Sequence, residues 1–308
     1  MIRVLLDTDA NNEIDDQHAI AYLLLSGDAF IIEGLTVNRT DNGGDIEDQA
    51  REAERIVSLC ALHPQLSVTR GASGSFEEIA PDLSGPAFDG SDAVNLIIQR
   101  AHAVDGQKLV LLAIGKLTNI ALALKKDPDI TGRVKVVWLG SNYPKPGEYN
   151  QDNDEAALNY VLESEVEFEI ALVRYGEPSG TDAVRVTLQN VRENLAGKGP
   201  PAAAPVTGRN GGNFSHFGDY SINLLEHVAL YGEPPSRALF DMAAVAIVKN
   251  PAWADARSIA APILENGTWR DRPDNPRTIV LRENFNRRAI LEDFYATIND
   301  YRLVDIAT

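Results

Sequence analysis

Ile2-Arg3-Val4-Leu5-Leu6-Asp7-Thr8-Asp9-Ala10-Asn11-Asn12-Glu13-Ile14-Asp15-Asp16 is the stretch whose reading decides the fold. Val4 to Leu6 are apolar and β-prone, as a central strand of a parallel sheet requires. From Gln17 the pattern turns helical, with Ala19, Ile20, Tyr22, Leu23 and Leu24 forming a largely apolar face. Four aspartates therefore lie between the C-terminal end of a strand and the start of a helix, where open α/β sheets bind ligands. Clustered carboxylates repel one another and lose hydration on burial unless a positive charge sits among them. A hard divalent cation with oxygen ligands meets that need. Helix capping accounts for Asp15 or Asp16 but not for Asp7 and Asp9 as well. An EF-hand does not fit: counting from Asp7, Asn12 falls at the glycine position and His18 at the bidentate glutamate position.

Outward from this loop, strand-like runs recur at 2–6, 30–37, 66–69, 108–114, 134–140, 168–173 and 183–187. Helix-like runs occur at about 17–26, 45–62, 91–103, 118–127, 154–164, 189–196, 219–231, 240–249 and 287–302. The alternation predicts an α/β fold, a single domain over residues 1–308 with a mainly parallel central sheet flanked by helices. A glycine- and proline-rich segment from Gly197 to Gly218 reads as a mobile loop at the active site. With 44% hydrophobic residues the chain can build a substantial core, and a net charge of −17 argues against nucleic acid or an anionic membrane as its partner. Cys60, the single cysteine, sits in an apolar helical run and reads as a buried thiol. The apolar stretch from Leu109 to Leu124 is too short to span a bilayer. The first strand follows directly on Met1 with no secretory leader, so a reducing cytoplasm is the expected location.

Three further segments join the aspartate loop. The apolar run Leu109 to Ile114 ends in Gly115-Lys116-Leu117-Thr118-Asn119. Val134 to Leu139 ends in Gly140-Ser141-Asn142, followed by Gly147-Glu148-Tyr149-Asn150 and Asp154-Glu155-Ala156-Ala157. Leu239-Phe240-Asp241 precedes an Ala/Val/Ile-rich helix. With this set, in this order, the chain resembles the inosine–uridine nucleoside hydrolase family. The resemblance implies that Asp9, Asp16, Asp241 and the backbone carbonyl of Ile114 ligate Ca²⁺. It implies that Asp9 is also the general base for water, which a bound cation acidifies and positions. Asp15 would accept a ribose hydroxyl and Asp7 would support the ligands. Asn142, Glu148 and Asn150, with Asn38 as a weaker candidate, would hold the sugar. Breaking an N-glycosidic bond develops oxocarbenium character on the ribose, which such carboxylates and amides stabilise. The implied partner is a small nucleoside, and the implied assembly a homodimer or homotetramer.

Two departures from the family stand out. Five residues, Ala10 to Ile14, separate Asp9 from the Asp-Asp pair where the familiar motif has three, a change that would reshape the sugar or base pocket or bring Asn11, Asn12 or Glu13 towards a ligand. Phe240 stands where many members carry the histidine that protonates the leaving group. His216, on the Gly197–Gly218 loop, is the expected substitute acid, with His227 as a second candidate; a leaving group that needs little acid help is the third possibility. Phe214, Phe217 and Tyr220 are candidates for stacking on a base. Other readings stand beside these: Asn142 and Asn150 as turn residues, Glu148 as a solvated loop charge, Asn119 as a turn stabiliser, and Asp241 as a helix cap. Three alternative functions also remain open. They are hydrolysis of a modified nucleoside or other N-ribosyl compound, a non-catalytic nucleoside or sugar binder, and a haloacid dehalogenase-type phosphatase using Mg²⁺, whose nucleophile motif Asp7-Thr8-Asp9 mimics.

Overall fold

The computed structural model describes residues 1–104 and 106–307. Its centre is a nine-stranded sheet. The first strands are β1 (Ile2–Thr8), β2 (Phe30–Val37), β3 (Val68–Arg70), β4 (Leu109–Ala113), β5 (Val134–Gly140) and β6 (Glu167–Leu172). The order across the sheet is Asp255–Ala260, Thr278–Glu283, β6, β5, β4, β1, β2 and Asp305–Ile306, with β3 also paired to β2. Every pairing is parallel except that of Asp255–Ala260 with Thr278–Glu283. This is the α/β, mainly parallel architecture that the alternating pattern predicts.

Side-chain alternation divides the core between the two faces of the sheet. Val4 and Leu6 of β1 join one apolar cluster with helix α1 (Asp15–Leu24), helix α2 (Ile46–Leu59) and the helices Phe217–Glu226, Phe240–Lys249 and Arg287–Asn299. Leu5 joins the other, with the helices Ser91–His102, Thr118–Lys126 and Glu155–Glu163. Cys60 is buried, as expected. Among the described residues no helix is long and apolar enough to cross a membrane.

Two differences from the sequence reading have simple causes. The strands Asp255–Ala260 and Thr278–Glu283 lie in a stretch where the pattern shows no element. The first is an edge strand, its residues 255–258 exposed, so it lacks the apolar run that marks a buried strand. The run at 183–187 is not part of the central sheet. It folds as a 3₁₀ turn, Thr181–Ala183, and a two-residue strand, Arg185–Val186, paired antiparallel with Arg237–Ala238.

The register brings the C-terminal ends of neighbouring strands together. Asp7 is level with Thr36 of β2 and Ala113 of β4, so Asp9, Asn38 and Gly115 leave adjacent strands side by side. A methyl group added at Gly115 would lie 2.9 Å from both the Asp9 Oδ1 and the Asn38 Nδ2. Both neighbours are buried and hydrogen-bonded, hence unable to give way cheaply. Gly115→Ala is expected to cost about 1–3 kcal/mol, measured by urea denaturation; an unchanged midpoint would contradict this packing.

Candidate metal and substrate site

The site is assembled from the N-terminal ends of two helices and the C-terminal ends of β1, β4 and β5. Helices α1 and Phe240–Lys249 pack against each other. Asp15 and Asp16 occupy the first turn of one and Asp241 the first turn of the other. Neither helix is capped by these side chains; the residues at the cap positions are Ile14 and Leu239. The capping reading of Asp241 is thereby replaced by a meeting of carboxylates. One oxygen from each of Asp15, Asp16 and Asp241 lies within 4.8 Å of the others, and all three residues are buried. Asp16 is further fixed by the Thr8 hydroxyl at 2.5 Å.

A cavity of about 340 Å³ opens over this triad. Asp9, Asp15, Asp16, Ile114, Glu148, Asn150 and Asp241 all line it, so seven of the residues singled out in the sequence converge on one space. Asp9 lies outside the 4.8 Å group but lines the same cavity, with Oδ2 accepting from the Thr40 hydroxyl at 2.6 Å. Glu148 is buried rather than solvated. It caps the short helix Tyr149–Asn153, accepting from the backbone N–H groups of Ser141, Asn150 and Gln151 at 2.9–3.1 Å. The Asn150 amide donates to the carbonyls of Ile114 and Leu139 at 3.2 and 3.1 Å, holding the Ile114 carbonyl at the cavity wall.

The remaining predicted residues are placed elsewhere. Asn38 is fully buried behind the wall, donating to Asp7 Oδ2 at 2.9 Å. Asp7 is saturated from the other side by Thr36 at 2.5 Å and Asn119 at 2.8 Å. Asn119 also accepts from the Ala72 N–H and so clamps the ends of several strands instead of touching substrate. Asn142 is spent on its own loop, donating to the Gly147 carbonyl and accepting from the Tyr175 N–H. His216 does not reach the cavity. It precedes the helix Phe217–Glu226, with its ring 3.8 Å from Asp219. His227 is bonded to the Asn223 carbonyl on the exposed side of that helix. No residue of 197–218 lines the cavity; the segment is pinned through Arg55 to the Thr207 carbonyl and Arg209 to the Asn11 carbonyl. Phe217 and Tyr220 are core residues, and Phe214 packs on Tyr220.

The cavity also contains groups that the sequence pattern did not single out, among them Arg185, Arg237, Tyr149, Tyr175 and Tyr231. The two arginines sit on the small Arg185–Val186/Arg237–Ala238 ladder, and Arg237 is ion-paired with Glu13 of the lengthened aspartate loop. Their only signal in the sequence is the closeness of Arg237 to Asp241. Asn12 and Glu13 reach the cavity as the longer loop predicts; Asn11 instead bonds to Gln49 and Gly43.

The electrostatics are dominated by burial. It pushes the carboxyl of Asp9 up to about 7, that of Glu148 to about 7 and those of Asp7 and Asp15 to about 6. Asp16 and Asp241 are raised well above the usual range by burial and then by their acidic neighbours. None of the described ion pairs involves Asp9, Asp15, Asp16 or Asp241. An all-oxygen donor set carrying this much unbalanced negative charge fits a hard divalent cation.

Fold and site together define a class: an α/β protein with an acidic cleft, able to hold a metal, at the C-terminal edge of a parallel sheet. Within that class the chain belongs to the inosine-uridine preferring nucleoside hydrolase family, whose family model matches residues 4–291. Similar sequences include a probable uridine nucleosidase 1 from Oryza sativa subsp. japonica, 26% identical over 192 residues, which are 54% of this chain and 57% of that protein. An inosine-uridine preferring nucleoside hydrolase from Leishmania major is 28% identical over 158 residues, 46% of this chain and 49% of its own length. The chain thus spans about half the length of the curated relatives it matches. In structure it is similar to a plant nucleoside hydrolase, with a TM-score of 0.74, 18% identity, and 97% and 99% of the two chains covered.

The raised carboxyls set a pH dependence. The folded protein holds their protons more tightly than the unfolded chain, so chelator-treated protein loses stability as pH rises from about 4, the unfolded value, through the values of about 6 and about 7 to which burial raises Asp15 and Asp9. A cation favours the ionised forms and reverses the trend. The rise in Tm on adding Ca²⁺ is expected to be small at pH 5 and several degrees larger at pH 8; an equal rise at both would contradict the assignment.

Proposed function

We propose that the chain catalyses Ca²⁺-dependent hydrolysis of the N-glycosidic bond of ribonucleosides, yielding free base and ribose. The observation that carries this reading is the convergence of Asp9, Asp15, Asp16, Asp241, Ile114, Glu148 and Asn150 on one cavity in a chain of this family. Asp9, Asp16, Asp241 and the Ile114 carbonyl would hold the cation. Asp15, beside them, keeps an oxygen for a ribose hydroxyl. The cation, when bound, supplies positive charge that acidifies and orients water and anchors the sugar.

The chain's own groups do the rest. Asp9 takes the proton from the attacking water. A nearby positive charge lowers its carboxyl from the burial-raised value of about 7, keeping the base ionised near neutral pH. Glu148 and Asn150 also line the cavity, and in this reading they hold the sugar hydroxyls and favour the positive charge that develops on the ribose. Asp7 cannot serve as the nucleophile of a phosphatase: it does not line the cavity, and both its oxygens are already occupied. Asn38, Asn142 and His216 carry no role in this reading. The functional unit is residues 1–308 as one domain, assembled as a homodimer or homotetramer, with a small nucleoside as its partner.

Ribose release from a panel of ribonucleosides tests the proposal. Turnover is expected with Ca²⁺, to vanish with chelator, and to fall about 10²–10⁴-fold in Asp9→Asn. Nucleoside binding without release would instead identify a non-catalytic binder. Release indifferent to both chelator and Asp9 would refute the mechanism.

A further inference from the structure

Among the described residues the cavity lining contains no histidine and no lysine, and its cationic side chains are Arg185 and Arg237. They lie at the opposite end of an exposure gradient from the metal group. Asp16 and Asp241 are almost fully buried, whereas the side chains of Arg237 and Arg185 are 12% and 26% exposed, and Glu13 beside them 41%. All of these groups line one cavity, so a nucleoside whose sugar is held at the buried carboxylates can set its base against the arginines. Resting on the hydrolase reading above, we propose that Arg237 is a catalytic residue that takes the place of a leaving-group acid: its guanidinium binds an exocyclic carbonyl oxygen of an oxo-substituted base, such as a pyrimidine dione, as that base departs as an anion.

The hydrogen bonding singles out Arg237 over its neighbour. Arg185 is engaged at all three nitrogens, with Ser236 Oγ at 3.0 Å, Asp182 at 2.7 Å and the Ser236 carbonyl at 3.1 Å. Arg237 meets Glu13 and, at 3.3 Å, the Ala229 carbonyl, while its guanidinium carbon sits 5.5 Å from the centre of the Tyr231 ring. A guanidinium has five N–H donors, so the fork keeps donors for a ligand while Glu13 and Tyr231 hold its plane. Phe240, edge-on to Tyr175 at 5.7 Å, adds an apolar wall where a base would sit.

A guanidinium does not give up its proton, but it stabilises negative charge on oxygen through paired N–H donors. The step then balances without an acid. The C1′–N bond breaks with its electron pair remaining on the base. The water oxygen bonds to C1′, and its proton passes to the Asp9 carboxylate. The base anion, held by Arg237, takes a proton from solvent after release, and Asp9 returns its proton to solvent.

The test compares uridine with 4-nitrophenyl β-D-ribofuranoside, whose leaving group departs readily unaided, using Ca²⁺-loaded wild type, Arg237→Met, Arg237→Lys and Arg185→Met. Arg237→Met is expected to lower kcat on uridine about 10²-fold, and on the nitrophenyl riboside by about tenfold or less. Arg237→Lys should recover only part of the loss, because a point charge lacks the planar fork. Arg185→Met should be the milder of the two methionine variants. Parallel losses on both substrates in an Arg237→Met protein whose Tm matches wild type would overturn the assignment, as would no loss on either. Wild type that turns over neither substrate would overturn the hydrolase reading and this assignment with it.

Discussion

Asp9, Asp15, Asp16 and Asp241 are buried together at one end of the sheet, and none of the ion pairs among the described residues involves them. Removing one carboxylate from water costs several kcal/mol even after relaxation. The N-termini of α1 and Phe240–Lys249 both point at the group, yet a helix end contributes only about 0.3–1 kcal/mol per charge and up to about 2 in partly buried geometries. Dipoles alone fall well short for four such groups. Either the carboxyls keep protons, as their raised values indicate, or a divalent cation replaces those protons. Occupation by a cation and ionisation of the acids are one linked equilibrium.

The rest of the fold keeps this group in place. Parallel pairing of β1 with β2 and β4 sets Asp7 level with Thr36 and Ala113, and the Asp7–Asn38–Asn119 network ties the strand ends behind the wall. Glu148 fixes the turn after β5, and Asn150 fixes the Ile114 carbonyl. His18, buried on α1 and held near a pKa of about 4 by burial, stays neutral between the Ile14 carbonyl and Ser221, so that it adds no charge beneath the site. Asp7 and Asn119 therefore act through position, while Asp9, Asp15, Asp16 and Asp241 face the cavity.

Much of this was legible in the sequence because it depends on local order. Apolar strands followed by Asp, Asn or Glu at the start of the next element mark the C-terminal edge of a parallel sheet, and the aspartate loop, the Ile114 turn, Glu148 and Asn150 follow that rule; Asp241 instead opens an apolar helix. What was not legible depends on tertiary placement. Nothing in Gly197 to Gly218 says that Arg55 and Arg209 pin it away from the cavity, so His216 looked available. Asn142 has the right neighbours in sequence, but its amide is consumed by its own loop. Arg185 and Arg237 lie 52 positions apart on two-residue strands too short to show a period, and only their pairing brings them to one wall. Glu13 shows both sides: the longer loop announced that something new reaches the cavity, and only the fold showed that it meets an arginine.

The central claim is that a divalent cation displaces protons from these buried carboxylates. Calorimetric titration of Ca²⁺ into chelator-treated protein, in two buffers of different ionisation heat, measures it directly. The pH belongs between the values of about 6 for Asp15 and about 7 for Asp9. The account predicts saturable binding of one Ca²⁺ per chain with net proton release, both lost in Asp241→Asn. No binding, or binding that releases no protons and survives Asp241→Asn, would contradict it.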